Sequence, residues 1–323
     1  MAWNKLVYLT LLLFGFESST KSQTVVVDYS ELAVDAEDHK NNILDFLNES
    51  DVIKRYKYKY DILLNELKGN LNNSRRGPSE TRRIVLGRNT SIASVPWQAS
   101  LRERSYPICG GSVLTDIWIL TAAHCLLRAH ATDLTVRLGS SWKTHGGEMY
   151  DVKESFVHPR YVSTTKVNDA GLVRLHTPLR FSARVLPIRL VQRDTKLPAN
   201  EVAIVSGWGK LMEGGMSATF LQSAGIATIA MKLCRRSGLQ PKSIDPHSMF
   251  CAGSFNQPSP DACQGDSGGP IVFDGVQIGV VSWGLGCARG NFPGVYTRLA
   301  HPVIRDWIQE HIVEKIDANI TFR

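Results

Sequence analysis

Gly265-Asp266-Ser267-Gly268-Gly269-Pro270 decides the reading of this chain, together with Asp261 six residues before the serine and Thr121-Ala122-Ala123-His124-Cys125 far upstream. One polypeptide thereby carries a hydroxyl nucleophile, a base and a carboxylate able to receive a basic side chain. The glycines set the stretch apart from a generic loop. Gly265 is free to place its N–H beside that of Ser267, so that both point at the oxygen of an attacked carbonyl. Such a pair stabilises a tetrahedral intermediate, and losing one donor typically costs about 3–4 kcal/mol of barrier. The hexapeptide alone is weak evidence; the histidine segment and the cysteines give it weight.

Working outward, the 323-residue chain is too long for one small domain, and its composition is near the globular average. Residues 1–22 read as a secretory signal: Lys5 is the positive start, Leu6 to Phe16 the apolar stretch, and Ser18 to Ser22 the small polar end. The alternative, an uncleaved anchor, needs an apolar run of ~20 residues, about twice what is present. No other stretch is suited to cross a bilayer. Six cysteines (Cys109, Cys125, Cys234, Cys251, Cys263 and Cys287) fit an oxidising compartment. Sequence alone leaves their connectivity open, and nearest neighbours suggest Cys109–Cys125, Cys234–Cys251 and Cys263–Cys287. No two lie at the short spacing of a zinc site, so no metal is expected. Asn48, Asn72, Asn89 and Asn319 begin glycosylation sequons usable in a secreted chain. The net charge of +7 comes from scattered lysines and arginines, which reads as a solvated surface and not as a nucleic-acid or membrane footprint.

Composition changes near Arg83. Residues 23–83 hold no cysteine or tryptophan, and Ile43, Leu44 and Leu47, then Ile62, Leu63, Leu64 and Leu67, recur at helical spacing. Residues 70–83 (NLNNSRRGPSETRR) have linker composition with two dibasic sites. A partly helical or disordered prosegment is expected there. From Ile84 onward short β-rich runs alternate with turns: Trp118 to Thr121, Leu134 to Leu138, Leu172 to Leu175, Val202 to Gly207, Gln277 to Ser282 and Val295 to Arg298. With no helices between them, these runs favour an all-β sandwich or barrel pair. Only the end looks helical, where Pro302 suits a first turn and Val303, Ile304, Trp307, Ile308 and Ile312 form one apolar stripe.

Residues 84 to about 312 resemble the trypsin-type serine proteases of the chymotrypsin fold, and the three-disulfide pattern is similar to that of insect enzymes. The resemblance rests on Ile84-Val85-Leu86-Gly87, the histidine segment, Asn168-Asp169-Ala170-Gly171-Leu172, Gly207-Trp208-Gly209, the serine hexapeptide and Ser282-Trp283-Gly284. It implies a protease domain over 84–323 made of two six-stranded antiparallel β-barrels, with a C-terminal α-helix against the second. It also implies that Ser267 attacks the carbonyl, His124 shuttles the proton and Asp169 holds the imidazolium, with Gly265 and Ser267 as the oxyanion hole. Asp169 is followed by Ala-Gly where a branched residue and Ala are usual, a departure expected to loosen that strand. Asp261 would floor a pocket kept open by Gly284 and Gly294, selecting Arg or Lys because an uncharged guest leaves a buried charge unpaired. Ala262 stands where lysine-accepting relatives often have serine. A compact ammonium thereby loses a partner while a guanidinium still pairs with Asp261, so Arg is expected to be preferred. Ser282, Trp283 and Gly284 would bind substrate backbone as an added strand, and Lys166 would border the subsite preceding the cleaved residue.

The resemblance further implies a zymogen cut at Arg83–Ile84, whose new Ile84 amine pairs with Asp266 and orders both pocket and oxyanion hole. The activator is another trypsin-like protease or the enzyme itself, and protein protease inhibitors are expected partners. Ala203 and Phe273 replace a further disulfide of many relatives. The segment from Gly139 to His158 lacks the paired acidic ligands of the family's calcium loop despite Glu148, and Pro293 stands where sodium-activated relatives have tyrosine. No cofactor is expected. The competing reading is a non-catalytic, protease-like binding protein, although such chains usually replace His, Asp or Ser.

Overall fold

A computed structural model describes residues 87–127, 129–239, 243–254 and 260–317. The expected signal, the prosegment, the Arg83–Ile84 bond and three of the four sequons lie outside the described residues. After a two-residue strand, β1 (Arg88–Asn89), six strands close into an antiparallel barrel: β2 (Gln98–Glu103), β3 (Tyr106–Val113), β4 (Trp118–Thr121), β5 (Leu134–Leu138), β6 (Glu148–Val157) and β7 (Gly171–Leu175). A short β8 (Arg189–Leu190) leads to the second set: β9 (Val202–Gly207), β10 (Gln222–Ile229), β11 (Met249–Ala252), β12 (Pro270–Phe273), β13 (Val276–Trp283) and β14 (Gly294–Arg298). These run β9-β10-β11-β14-β13-β12 and return to β9, so they also close. β1 pairs with β10, and β8 lies parallel to β13. α1 (Ala123–Leu126) and α2 (Met231–Cys234) are single turns, and α3 (Pro302–Asp317) ends the described chain. No described helix is long and apolar enough to cross a membrane.

The expected strands fall where the sequence put them, because alternation is read directly as burial. In β5 the residues Leu134, Val136 and Leu138 point inward and Thr135 and Arg137 do not. Closure leaves the barrels no free edges. The cysteines pair as Cys109–Cys125, Cys234–Cys251 and Cys263–Cys287. Ala203 is fully buried and Phe273 packs against the same core, so apolar contact occupies that place.

The helix is a correction. It is expected against the second barrel, but its ring contacts lie on the first. Trp307 meets His158 at 4.9 Å between ring centroids, and His311 meets Phe156 of β6 at 5.0 Å and Trp118 of β4 at 6.3 Å. The apolar stripe fixes that a face is buried but not which barrel supplies the partners. The barrels approach through glycine and buried amides. A side chain on Gly110 would meet Gly269 Cα at 2.9 Å, while Ser206 Oγ donates to Gln98 at 2.6 Å and Ser112 Oγ to Gln277 at 2.7 Å.

Candidate active site

His124 sits in α1, one turn after β4, and Asp169 lies two residues before β7, the neighbour of β4. Adjacent strand ends therefore bring together residues 45 positions apart. Asp169 is buried, and its two oxygens grip the histidine twice: Oδ2 lies 2.7 Å from Nδ1 and Oδ1 accepts the His124 backbone N–H at 3.0 Å. This fixes the imidazole's orientation and leaves Nε2 as the free nitrogen. Ser282 Oγ donates to Asp169 Oδ2, and Thr297 Oγ1 donates to the Asp169 carbonyl at 2.8 Å. A register shift between Val281 and Trp283 aims Ser282 there.

Gly171 corrects an expectation. It does not loosen its strand; close packing requires it. A Cβ there would lie 2.7 Å from Leu126 Cδ1 and 3.1 Å from the Ala122 carbonyl oxygen, inside the turn that carries His124.

Ser267 comes to this turn from the second barrel. Gly110 N–H donates to the Ser267 carbonyl at 2.7 Å, and Gly268, at φ +80°, passes so close that a Cβ would meet Thr121 Oγ1 at 2.2 Å. Among the described residues no hydrogen bond joins Ser267 Oγ to His124. Gly265, at φ +100°, lies against Gly209, where a Cβ would be 3.2 Å from Gly209 Cα. Only glycine holds that backbone without strain.

A cavity of about 190 Å³ opens beside Ser267. Asp261, Ala262, Ser282, Trp283, Gly284 and Gly294, the residues to which the resemblance assigns substrate contact, all line it. Asp261 is 4% exposed. Its Oδ2 accepts Ala288 N–H at 2.9 Å, while Oδ1 has no partner, nor has the buried hydroxyl of Tyr296. Burial pushes the Asp261 carboxyl up to about 7, against the pull of the Ala288 and Ala262 N–H groups. A Cβ on Gly294 would stand 2.9 Å from Asp261 Oδ1, so glycine there leaves the floor open. The outer wall at Gly286 is braced by a bidentate pair in which Arg289 donates to Glu213 from Nε at 2.7 Å and from Nη2 at 2.5 Å.

Asp266 is enclosed beneath Gly265. Its oxygens accept Gly209 N–H at 2.8 Å and Cys263 N–H at 3.0 Å, and any Cβ on Gly207 or Gly209 would collide with them. Burial raises its carboxyl to about 6, with the two N–H groups and the charge of Lys143 opposing. Sequence reasoning missed Ser282's bond to Asp169, the pocket lining by Gln264, Gly286 and Tyr296, and Lys143 altogether. The Ser282 bond spans 113 residues and the Lys143 bond 65, so no local motif announces either contact. Lys166, flagged beside the triad, donates to Tyr161 OH at 3.1 Å.

The comparisons with known proteins agree with this geometry. A family model described as Trypsin matches residues 84–308. The chain is 38% identical to a trypsin of Phaedon cochleariae over 70% of its length and 87% of the relative's. It is 42% identical to trypsin beta of Drosophila erecta, again over 70% of its length and 87% of the relative's. It is 37% identical to the vitellin-degrading protease of Bombyx mori over 71% of its length and 86% of the relative's. The chain belongs to the trypsin family, as a serine endopeptidase that acts on protein substrates.

Proposed function

We propose that the chain is a secreted zymogen whose domain over residues 84–323, once freed from a signal (1–22) and a prosegment (23–83), hydrolyses peptide bonds after arginine and less well after lysine. The observation that carries the specificity is Asp261 Oδ1, a buried and unpartnered carboxylate oxygen at the floor of the cavity beside Ser267. A guanidinium supplies the missing donors and restores the charged form, whereas an apolar guest leaves the oxygen orphaned. Ala262 brings no hydroxyl to an ammonium, which favours arginine.

Ser267 attacks the carbonyl as His124 Nε2 takes its proton, a bond that closes when substrate binds. Asp169 steadies the resulting imidazolium, and the N–H groups of Gly265 and Ser267 receive the oxyanion. The proton then passes from His124 to the leaving amine. Ser282 to Gly284 hold the substrate backbone as a strand. Cleavage after Arg83 frees the Ile84 amine to meet Asp266, and the geometry supports that reach. Asn89 pairs with Gln222, which pairs with Gly207 beside Asp266, about 10 Å across two strand spacings. Five residues back from Asn89 to Ile84 span up to about 17 Å. Three disulfides support an oxidising, extracellular setting. Asn89, the one described sequon, is exposed.

Hydrolysis of matched Arg, Lys and Phe peptide amides before and after cleavage at Arg83, with Ser267→Ala as control, tests the reading. Activity should rise on cleavage, follow the order Arg, Lys, Phe and vanish in the control. A folded, cleaved and inert enzyme would instead be a protease-like binding protein. Self-activation is tested separately, by adding a trace of active enzyme to the Ser267→Ala chain and looking for cleavage at Arg83.

A further inference from the structure

Lys143 lies in the segment linking β5 to β6 of the first barrel, yet its ammonium reaches the second barrel and donates to the Trp208 carbonyl at 3.2 Å. The next N–H along, that of Gly209, donates to Asp266 Oδ1 at 2.8 Å. The carbonyl and the N–H belong to one peptide unit. A cation therefore sits at the negative end of that peptide's dipole and the buried carboxylate at its positive end, so both contacts are attractive. The lysine backbone is held on both sides: Lys143 N–H donates to the Thr219 carbonyl at 2.9 Å, and Arg102 Nη1 donates to the Lys143 carbonyl at 3.1 Å. Trp208 Nε1 returns a bond to the Ser141 carbonyl at 3.0 Å. Among the described residues Lys143 makes no direct ion pair. Burial and Arg102 draw its pKa down, and Asp266 is the charge that draws it back up. Conversely, Lys143 is the charge that lowers the carboxyl of Asp266.

We infer that Lys143 is a positioning residue for the oxyanion side of the site, a resident cation that steadies Asp266, and through Gly209 the adjacent Gly265, whether or not the chain has been cut. The inference rests on the proposed zymogen reading and refines it. The Ile84 amine arrives only on cleavage, whereas Lys143 belongs to the domain in both forms. The uncut chain therefore holds a minor population with Gly265 and Ser267 in their reactive arrangement. Cleavage enlarges that population.

The test uses the full-length, uncleavable Arg83→Gln chain, its Ser267 probed with a fluorophosphonate and its turnover with an Arg amide. Labelling should exceed the Ser267→Ala background. Adding Lys143→Met should lower its rate about tenfold or more, while Lys143→Arg, which keeps the charge, stays within about threefold. In the cleaved enzyme Lys143→Met should cost less than about threefold, in kcat and not KM, because the Ile84 amine dominates. A loop strap without an electrostatic role would lower both forms alike, and melting temperatures identify a variant that has merely lost its fold. The proposal falls if the uncut chain is unreactive, if Met and Arg behave alike, or if both forms lose equally. An inert cleaved wild type would overturn the protease reading instead, so the two failures are distinguishable.

Discussion

At the residue scale the active centre combines groups whose identity announces their chemistry with groups whose partners alone define them. Asp261 belongs to the first kind. Its carboxyl, raised to about 7 by burial, must be ionised to take a cation. Below pH 7 a proton competes for the same oxygen, and above it the site is fully charged. Inhibition by a small amidine should therefore weaken up to about tenfold per pH unit below 7 and level off above, with Asp261→Asn abolishing the dependence. A flat profile between pH 5 and 8 would remove the argument. Gly171 belongs to the second kind. Gly171→Ala drives a methyl into Leu126 and the Ala122 carbonyl, and should cost about 1–3 kcal/mol in urea unfolding together with turnover. Unchanged stability would show that the turn gives way freely. The positions of His124, Asp169 and Ser267 and of the pocket glycines were legible because the family resemblance carries each onto a numbered motif residue. Gly171 was misread because only the packed turn shows what a Cβ would strike, and Ser282's bond to Asp169 spans 113 residues.

At the element scale strands were the most legible part, since a period of two translates directly into one buried face. Helix α3 shows where such reading stops. Its stripe names Val303, Ile304, Trp307, Ile308 and Ile312, all buried except the half-buried Val303, but the ring partners Trp118, Phe156 and His158 come from the first barrel. Ile308→Ala should lower stability by about 2–5 kcal/mol while leaving KM for an Arg amide unchanged, because the cavity is lined by the second barrel. A shift in KM without loss of stability would mean that the helix communicates with the pocket.

At the scale of the whole molecule the site is a product of two closed barrels, one giving His124 and Asp169 and the other Ser267 and Asp261. Asp261 and Asp266 both carry raised carboxyls in the fold. Their contribution therefore favours the folded state below the ordinary carboxylate range and is withdrawn as pH rises through about 6 to 7. A saturating amidine should accordingly raise the melting temperature more at pH 8 than at pH 5, and equal shifts would count against an ionised floor. The bidentate bond between Glu213 and Arg289 has a different consequence. With the proposed cleavage after arginine, each copy becomes a substrate for its neighbours, and Arg289 stands exposed on a surface loop. While Glu213 clasps that guanidinium, it is withheld from another copy's pocket. The clasp faces solvent, so salt screens it. Concentrated enzyme should digest itself faster in molar salt, with the first nick after Arg289, and Glu213→Gln should bring the same early nick at low salt.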